Sequence, residues 1–195
     1  METIRKSLPQ DANKAAKLMF DAMDWLGDLL QLNKVKGPQL VQTLYLKSNT
    51  RFSSEHTHVV DIDGEVAGIL TTAAGSKLDG LNLRAAVKGF SFITGKMLKN
   101  VAKHAGSLLK TKEALDDEYY ITTLSVDSKF RGKGIGSKLM DLAEKLAREN
   151  GYRKCSLTVD ANNEKARRLY NQLGYVEQSQ FKLMHYTFVR MVKSL

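Results

Sequence analysis

The residues whose types and spacing are most informative about chemistry are Arg131-Gly132-Lys133-Gly134-Ile135-Gly136-Ser137. Glycines at alternate positions let a backbone approach a bulky anion closely and turn successive N–H groups toward it, and two cations stand among them. An alternating stretch at residues 119–127 leads into the run and an amphipathic stretch at 137–150 leads out, so a strand feeds a helix. The helix adds its unpaired N-terminal N–H groups and the positive end of its dipole. This layout suits the binding of a phosphate or pyrophosphate.

Two common phosphate loops fail on spacing. A Walker loop needs Gly, four residues, then Gly-Lys-Ser/Thr, but Gly136 is followed by Ser137-Lys138 and position 131 is Arg. A dinucleotide fingerprint begun at Gly132 needs glycine at 137, where Ser137 stands. The pattern that fits is R-x-x-G-x-G, from Arg131 through Gly134 to Gly136. A second constellation follows a strand-like stretch at 157–160. Asn163, Ala166, Leu169, Tyr170, Leu173, Gly174 and Tyr175 are spaced N-x-x-A-x-x-L-Y-x-x-L-G-Y. By spacing alone Tyr170 reads as a core aromatic with its hydroxyl at the rim.

Taken together and in this order, the two motifs resemble the GNAT superfamily of N-acetyltransferases over residues 119–175. The resemblance implies acetyl-CoA as acyl donor, with its pyrophosphate held by Arg131, Gly132, Lys133, Gly134, Ile135, Gly136 and Ser137. It implies that Leu124 and Val126 pair with the pantetheine arm, that a backbone N–H near Val126 polarises the thioester carbonyl, and that Asn163 contacts the cofactor. Tyr170 would protonate the departing thiolate, which reverses the packing-only reading. The implied reaction is acetyl transfer to a primary amine of a small molecule or peptide by direct attack on the thioester, with no metal. One departure is Ser128, where many members carry proline. A noncatalytic acyl-CoA sensor is the alternative that every quoted residue also permits.

An attacking amine must first lose a proton. Glu118 is put forward as base, with Asp117, Tyr119, Tyr120 and ordered water left open beside it. His56 and His58 share a face of a strand, but no third ligand stands at a suggestive spacing, so they are read as solvent-facing.

The elements that must position these groups follow from periodicity. Leu139, Leu142, Ala143, Leu146 and Ala147 make one apolar helical face, and the helix is long enough to connect two parallel strands. Upstream, residues 3–7 read as a strand, Pro9-Gln10-Asp11 opens a helix, and a second helix runs over 38–47. Strands at 58–62 and 65–70 flank Asp63-Gly64, a type I′ hairpin pair. Strands at 175–180 and 184–192 close the chain. The fold class expected is α/β (α+β): a mixed, mostly antiparallel sheet of about six to seven strands flanked by helices, in a single domain over residues 1–195.

Residues 75–118 stand where the resemblance calls for a short turn. Helices are expected at 81–93 and 94–109, the second with an apolar stripe of Met97, Leu98, Val101, Ala102, Ala105, Leu108 and Leu109 opposite Lys96, Lys99 and Lys103. Three readings stand: a helical lid over the acceptor side, a dimerisation element, and a basic surface for a membrane, nucleic acid or acidic partner.

Composition bounds the remainder. The 195 residues are 43% hydrophobic and 26% charged, which suits a globular protein with a sizeable core. No signal segment and no membrane-length apolar run are read, so a cytoplasmic location is expected. Cys155 is the only cysteine, and it reads as a packed side chain. The net charge of +9 argues against a polycationic acceptor, while the scarcity of aromatics in the basic segment argues against nucleic acid. A homodimer is left open as the assembly.

Overall fold

Alternating apolar residues in the N-terminal half dictate a sheet buried on both faces. In the computed structural model Val59 and Ile69 point into one core cluster, and their chain neighbours Val60 and Leu70 point into another on the opposite face. The structure describes residues 1–195 apart from the side chains of Leu109 and Lys110, so the last member of the predicted apolar stripe lies outside the described residues.

The strands are β1 (Glu2–Lys6), β2 (Thr57–Ile62), β3 (Glu65–Ala74), β4 (Tyr119–Val126), β5 (Lys154–Asp160), β6 (Val176–Leu183) and β7 (Tyr186–Ser194). They form one sheet in the order β1-β2-β3-β4-β5-β7-β6, antiparallel except for β4 and β5. Asp63 and Gly64 both take positive φ between β2 and β3, as an I′ hairpin requires. The helices are α1 (Ala12–Asp21), α2 (Asp24–Leu30), α3 (Lys36–Tyr45), α4 (Gly75–Lys88), α5 (Gly95–Lys110), α6 (Ile135–Glu149) and α7 (Glu164–Gln172). Helices α1, α2 and α3 supply the first core cluster. Helix α6 supplies Leu139, Met140, Ala143 and Ala147 to the second, in which Cys155 is also packed.

Two elements depart from expectation. Helix α2 has only seven residues, too few for a helical period to stand out, and it ends where Gln31 turns left-handed at φ 52°. The insertion begins at Gly75 as expected, but its first helix starts there instead of at residue 81, because α4 continues directly from β3. The Gly75 N–H donates to the Glu118 carbonyl at 2.8 Å, so the insertion leaves and re-enters the sheet at one point. A Cβ at Gly75 would lie 1.9 Å from the Leu115 carbonyl oxygen, which is why glycine stands at this neck. In α5, Met97 is buried, whereas Leu98 and Ala102 of the predicted stripe are exposed.

His56 and His58 are half-buried instead of solvent-facing. His56 Nε2 and His58 Nδ1 are enclosed without a hydrogen-bond partner among the described residues. No group of three or more metal-ligating side chains is present among the described residues. Burial lowers the pKa of both imidazoles, and Lys6 adds to the effect at His58. The unfolded chain therefore binds protons near pH ~6.5 that the folded chain takes up only at lower pH. Stability from this pair is full above that value and falls as pH drops through it. The melting temperature should decline from about pH 7.5 to about pH 5.5, and the double substitution His56→Gln, His58→Gln should flatten that slope; an unchanged slope would remove the pair as its cause.

Candidate active site

The glycine run forms the entry to α6. Gly132 and Gly134 take φ of 79° and 77°, a region that side-chain-bearing residues avoid, and a Cβ on either would point into open space. Gly134 is the N-cap, and its carbonyl accepts from the Lys138 N–H at 3.1 Å. The N–H groups of residues 132–137 have no acceptor among the described residues. Six consecutive free donors at the start of a 15-residue helix fit a pyrophosphate. Arg131 behaves differently from its neighbours. Its N–H is bonded to the Ser128 carbonyl, and its Nε donates to the Val126 carbonyl at 3.1 Å, so it braces the end of β4 and adds only charge to the cradle. Lys133 lies over the Phe130 ring at 5.3 Å.

Above this cradle the sheet opens. Strand β4 pairs with β3 along its whole length, but with β5 only through Tyr119↔Cys155, Tyr120↔Ser156 and Ile121↔Leu157. From Thr122 onward the side of β4 that faces β5 has no strand partner, and this free edge includes Leu124 and Val126. Strand β5 is held on its other side by β7, with pairing that continues to Asp160. Two neighbouring strands thus part at their C-terminal ends, where a ligand in an open α/β sheet finds its crevice.

Helix α7 lines that opening. Asn163 caps it, with Oδ1 accepting from the Ala166 N–H at 3.1 Å, and so its amide NH₂ remains available. Tyr170 lies two turns later, its ring 6.2 Å from that of Tyr175. Burial pushes the Tyr170 hydroxyl up to about 12, and the hydroxyl has no hydrogen-bond partner among the described residues. Tyr170 and Asn163 line the same cleft as Thr122, Thr123 and Leu124.

The cleft is about 1050 Å³ and extends from the β4–β5 opening beneath α2, α4 and the exit of α5. Among its described lining residues Asp21, Asp24, Asp79, Glu113, Asp116 and Asp160 face only Arg51 and Lys112 as cations. The overall charge of +9 is thus a misleading guide, since the exposed Lys96, Lys99 and Lys103 carry it outward on α5 while the cleft itself is acidic. One wall is aromatic: Phe188 stacks on Phe181 at 5.4 Å and on Tyr186 at 6.0 Å.

Glu118 does not line the cleft. It is 1% exposed, ion-paired to Arg190, and accepts from the Leu115 N–H at 2.9 Å, so both oxygens are engaged in holding the neck of the insertion to β7. Asp117 is at the surface, 2.7 Å from Lys154. Among the carboxylates that do line the cleft, Glu113 is tied to the sheet. Arg51 donates to both of its oxygens at 3.0 Å, and a further Arg51 N–H reaches Asn82 of α4 at 3.0 Å. The Tyr120 hydroxyl donates to Glu113 at 2.8 Å and lies 2.7 Å from Thr158 Oγ1. Burial pushes the Glu113 carboxyl up, but Arg51 and Tyr120 outweigh it and hold the group below the usual carboxylate range. Arg51, Glu113 and Thr158 escape sequence reasoning because their partners are 62 and 38 positions away and no local pattern connects them.

Comparison with known proteins agrees with this geometry. The profile of the Acetyltransferase (GNAT) family matches residues 20–175. The Bacillus subtilis uncharacterized N-acetyltransferase YhfO is 38% identical over 68 residues, which are 35% of this chain and 44% of that protein. The Arabidopsis thaliana N-alpha-acetyltransferase MAK3 is 36% identical over 67 residues, 34% of each chain. The chain thus spans less than half the length of these curated relatives. Among solved structures, an N-acetyltransferase from Staphylococcus aureus Mu50 superimposes with a TM-score of 0.78 at 26% identity, covering 97% of this chain and 99% of that one. With cradle, strand opening and family profile falling on the same residues, the chain belongs to the GNAT family of acetyltransferases.

Proposed function

We propose that this chain transfers the acetyl group of acetyl-CoA to a primary amine, with a cationic small molecule or peptide terminus as acceptor. The observation that carries the reading is the parting of β4 and β5, followed in the chain after β4 by six N–H groups with no acceptor among the described residues, with Tyr170 on the wall of the opening. The N–H groups of residues 132–137 would bind the pyrophosphate, and the free edge of β4 at Leu124 and Val126 would hydrogen-bond the pantetheine arm as an added strand. A β4 N–H near Val126 would donate to the carbonyl oxygen as negative charge gathers there. The neutral amine nitrogen bonds to the acetyl carbon, the C–S bond breaks, Tyr170 gives its proton to the leaving thiolate, and the proton shed by the new amide nitrogen passes through solvent to restore the Tyr170 phenol. Burial pushes this phenol up to about 12, so it is protonated near neutral pH and stands as a hydrogen-bond and proton donor for the sulfur. The acidic lining supports a cationic acceptor by raising its local concentration, and the aromatic wall supplies faces on which an ammonium or alkyl chain can rest.

Thermal unfolding with acetyl-CoA, and with CoA, ATP and NADH as controls, tests the donor. Acetyl-CoA at ~100 times its dissociation constant should add about 2.7 kcal/mol, a rise of a few degrees. No rise with acetyl-CoA or CoA at millimolar concentration would overturn the reading, and a rise without turnover of any amine would leave an acyl-CoA sensor. Tyr170→Phe should retain this stabilisation while turnover falls by roughly 10²-fold or more, and unchanged turnover would remove Tyr170 as proton donor. Gly134→Asp should abolish the stabilisation, because a side chain at φ 77° is strained and its carboxylate repels phosphate.

A further inference from the structure

The acetyl-transfer reading leaves open what receives the acceptor nitrogen. Thr158 stands immediately after Leu157, the last β5 residue that pairs with β4, and so at the point where the strands part. Leu157 and Val159 pack with α6, which turns Thr158 to the opposite face, and Thr158 lines the cleft while remaining half-buried. Behind it is a chain of hydrogen bonds with only one self-consistent direction. Glu113, doubly bonded to Arg51, is ionised and can only accept. The single Tyr120 proton therefore goes to Glu113, and the Tyr120 oxygen must accept the proton of Thr158. Tyr120, at 1% exposed, and Arg51, at 8%, are buried links of this chain, while Glu113 and Thr158 are half-buried at its ends. Thr158 Oγ1 is left with lone pairs and no free proton.

We infer that Thr158 is a contact residue for the acceptor, its Oγ1 taking an N–H of the amine at the mouth of the β4–β5 opening, with Tyr120, Glu113 and Arg51 as the positioning residues that make it an acceptor only. The direction matters chemically. A freely rotating hydroxyl could donate to the amine nitrogen and occupy the lone pair needed for attack. An oxygen whose proton is already engaged can bind only through N–H, which leaves the lone pair of a neutral amine free for the thioester carbon. The proposal rests on the acetyl-transfer reading.

The test is steady-state kinetics, read as CoA release, on a panel of n-butylamine, 1,4-diaminobutane and a tripeptide with a free N-terminus. For amines that the wild-type protein acetylates, Thr158→Val should lower kcat/KM for the amine by roughly 10- to 100-fold, leaving KM for acetyl-CoA and the melting temperature in its presence unchanged. Thr158→Ser, which keeps the hydroxyl, should restore most of the loss. Tyr120→Phe should act in the same direction, and combining it with Thr158→Val should add little, because both disable one device. Wild-type kcat/KM in Thr158→Val, or losses that simply multiply in the double variant, would overturn the assignment. If the wild-type protein binds acetyl-CoA but acetylates no amine on the panel, the transfer reading fails and the assignment fails with it. A loss in Thr158→Val confined to KM for acetyl-CoA would overturn the acceptor contact alone.

Discussion

Everything in this site depends on an incomplete strand pairing. β4 and β5 are parallel neighbours that hydrogen-bond through three residue pairs and then separate, while each remains held on its outer side by an antiparallel partner. Backbone groups on an inner strand are costly to leave unpaired. The free edge from Thr122 to Val126 is consequently a standing demand for a strand-like ligand. The phosphate cradle, the wall provided by α7 and the mouth of the cleft are all located relative to that opening.

The cleft keeps its shape through two buried ion pairs that draw distant segments together. Arg51–Glu113 joins the turn after α3 to the exit of α5, with Asn82 adding α4 and Tyr120 adding the sheet. Arg190–Glu118 fixes the insertion's neck to β7. Such pairs need not stabilise a fold relative to apolar substitutes, yet removing one partner of the buried Arg190–Glu118 pair strands a charge in a dry environment, at a typical cost of about 3–5 kcal/mol. Their value here is geometric, since they hold a long insertion at a fixed angle over the sheet.

How much of this was legible in the sequence depended on whether the signal was local. Arg131 to Ser137 and Asn163 to Tyr175 encode turn and helix over short windows, so the local structure of these segments could be read from the sequence, and both positive-φ positions of the turn fall on its glycines. Arg131 was the exception, because sequence does not reveal that a guanidinium folds back onto a carbonyl. The acceptor half was opaque for a different reason. Glu118 and Glu113 look alike as residues near a strand start, and only three-dimensional burial shows that one serves the neck and the other the cleft. Net charge misled for the same reason, as it counts lysines on the outer face of α5 together with aspartates lining the interior of the cleft. α2 was too short to register a period.

The two halves also differ in the material from which they are made. The cradle and the free edge of β4 consist of backbone N–H and C=O groups, which every residue except proline possesses in full. Outside the glycines held at positive φ, that half tolerates drift in side-chain identity without changing its backbone donors and acceptors. The cleft proposed to take the acceptor is lined by side chains, Thr158, Glu113, Tyr186 and the aspartates among them, where a single substitution changes what can be recognised. A chain built this way can keep its donor through long divergence while its acceptor changes in a few steps, so inheritance of the fold carries information about one substrate and very little about the other.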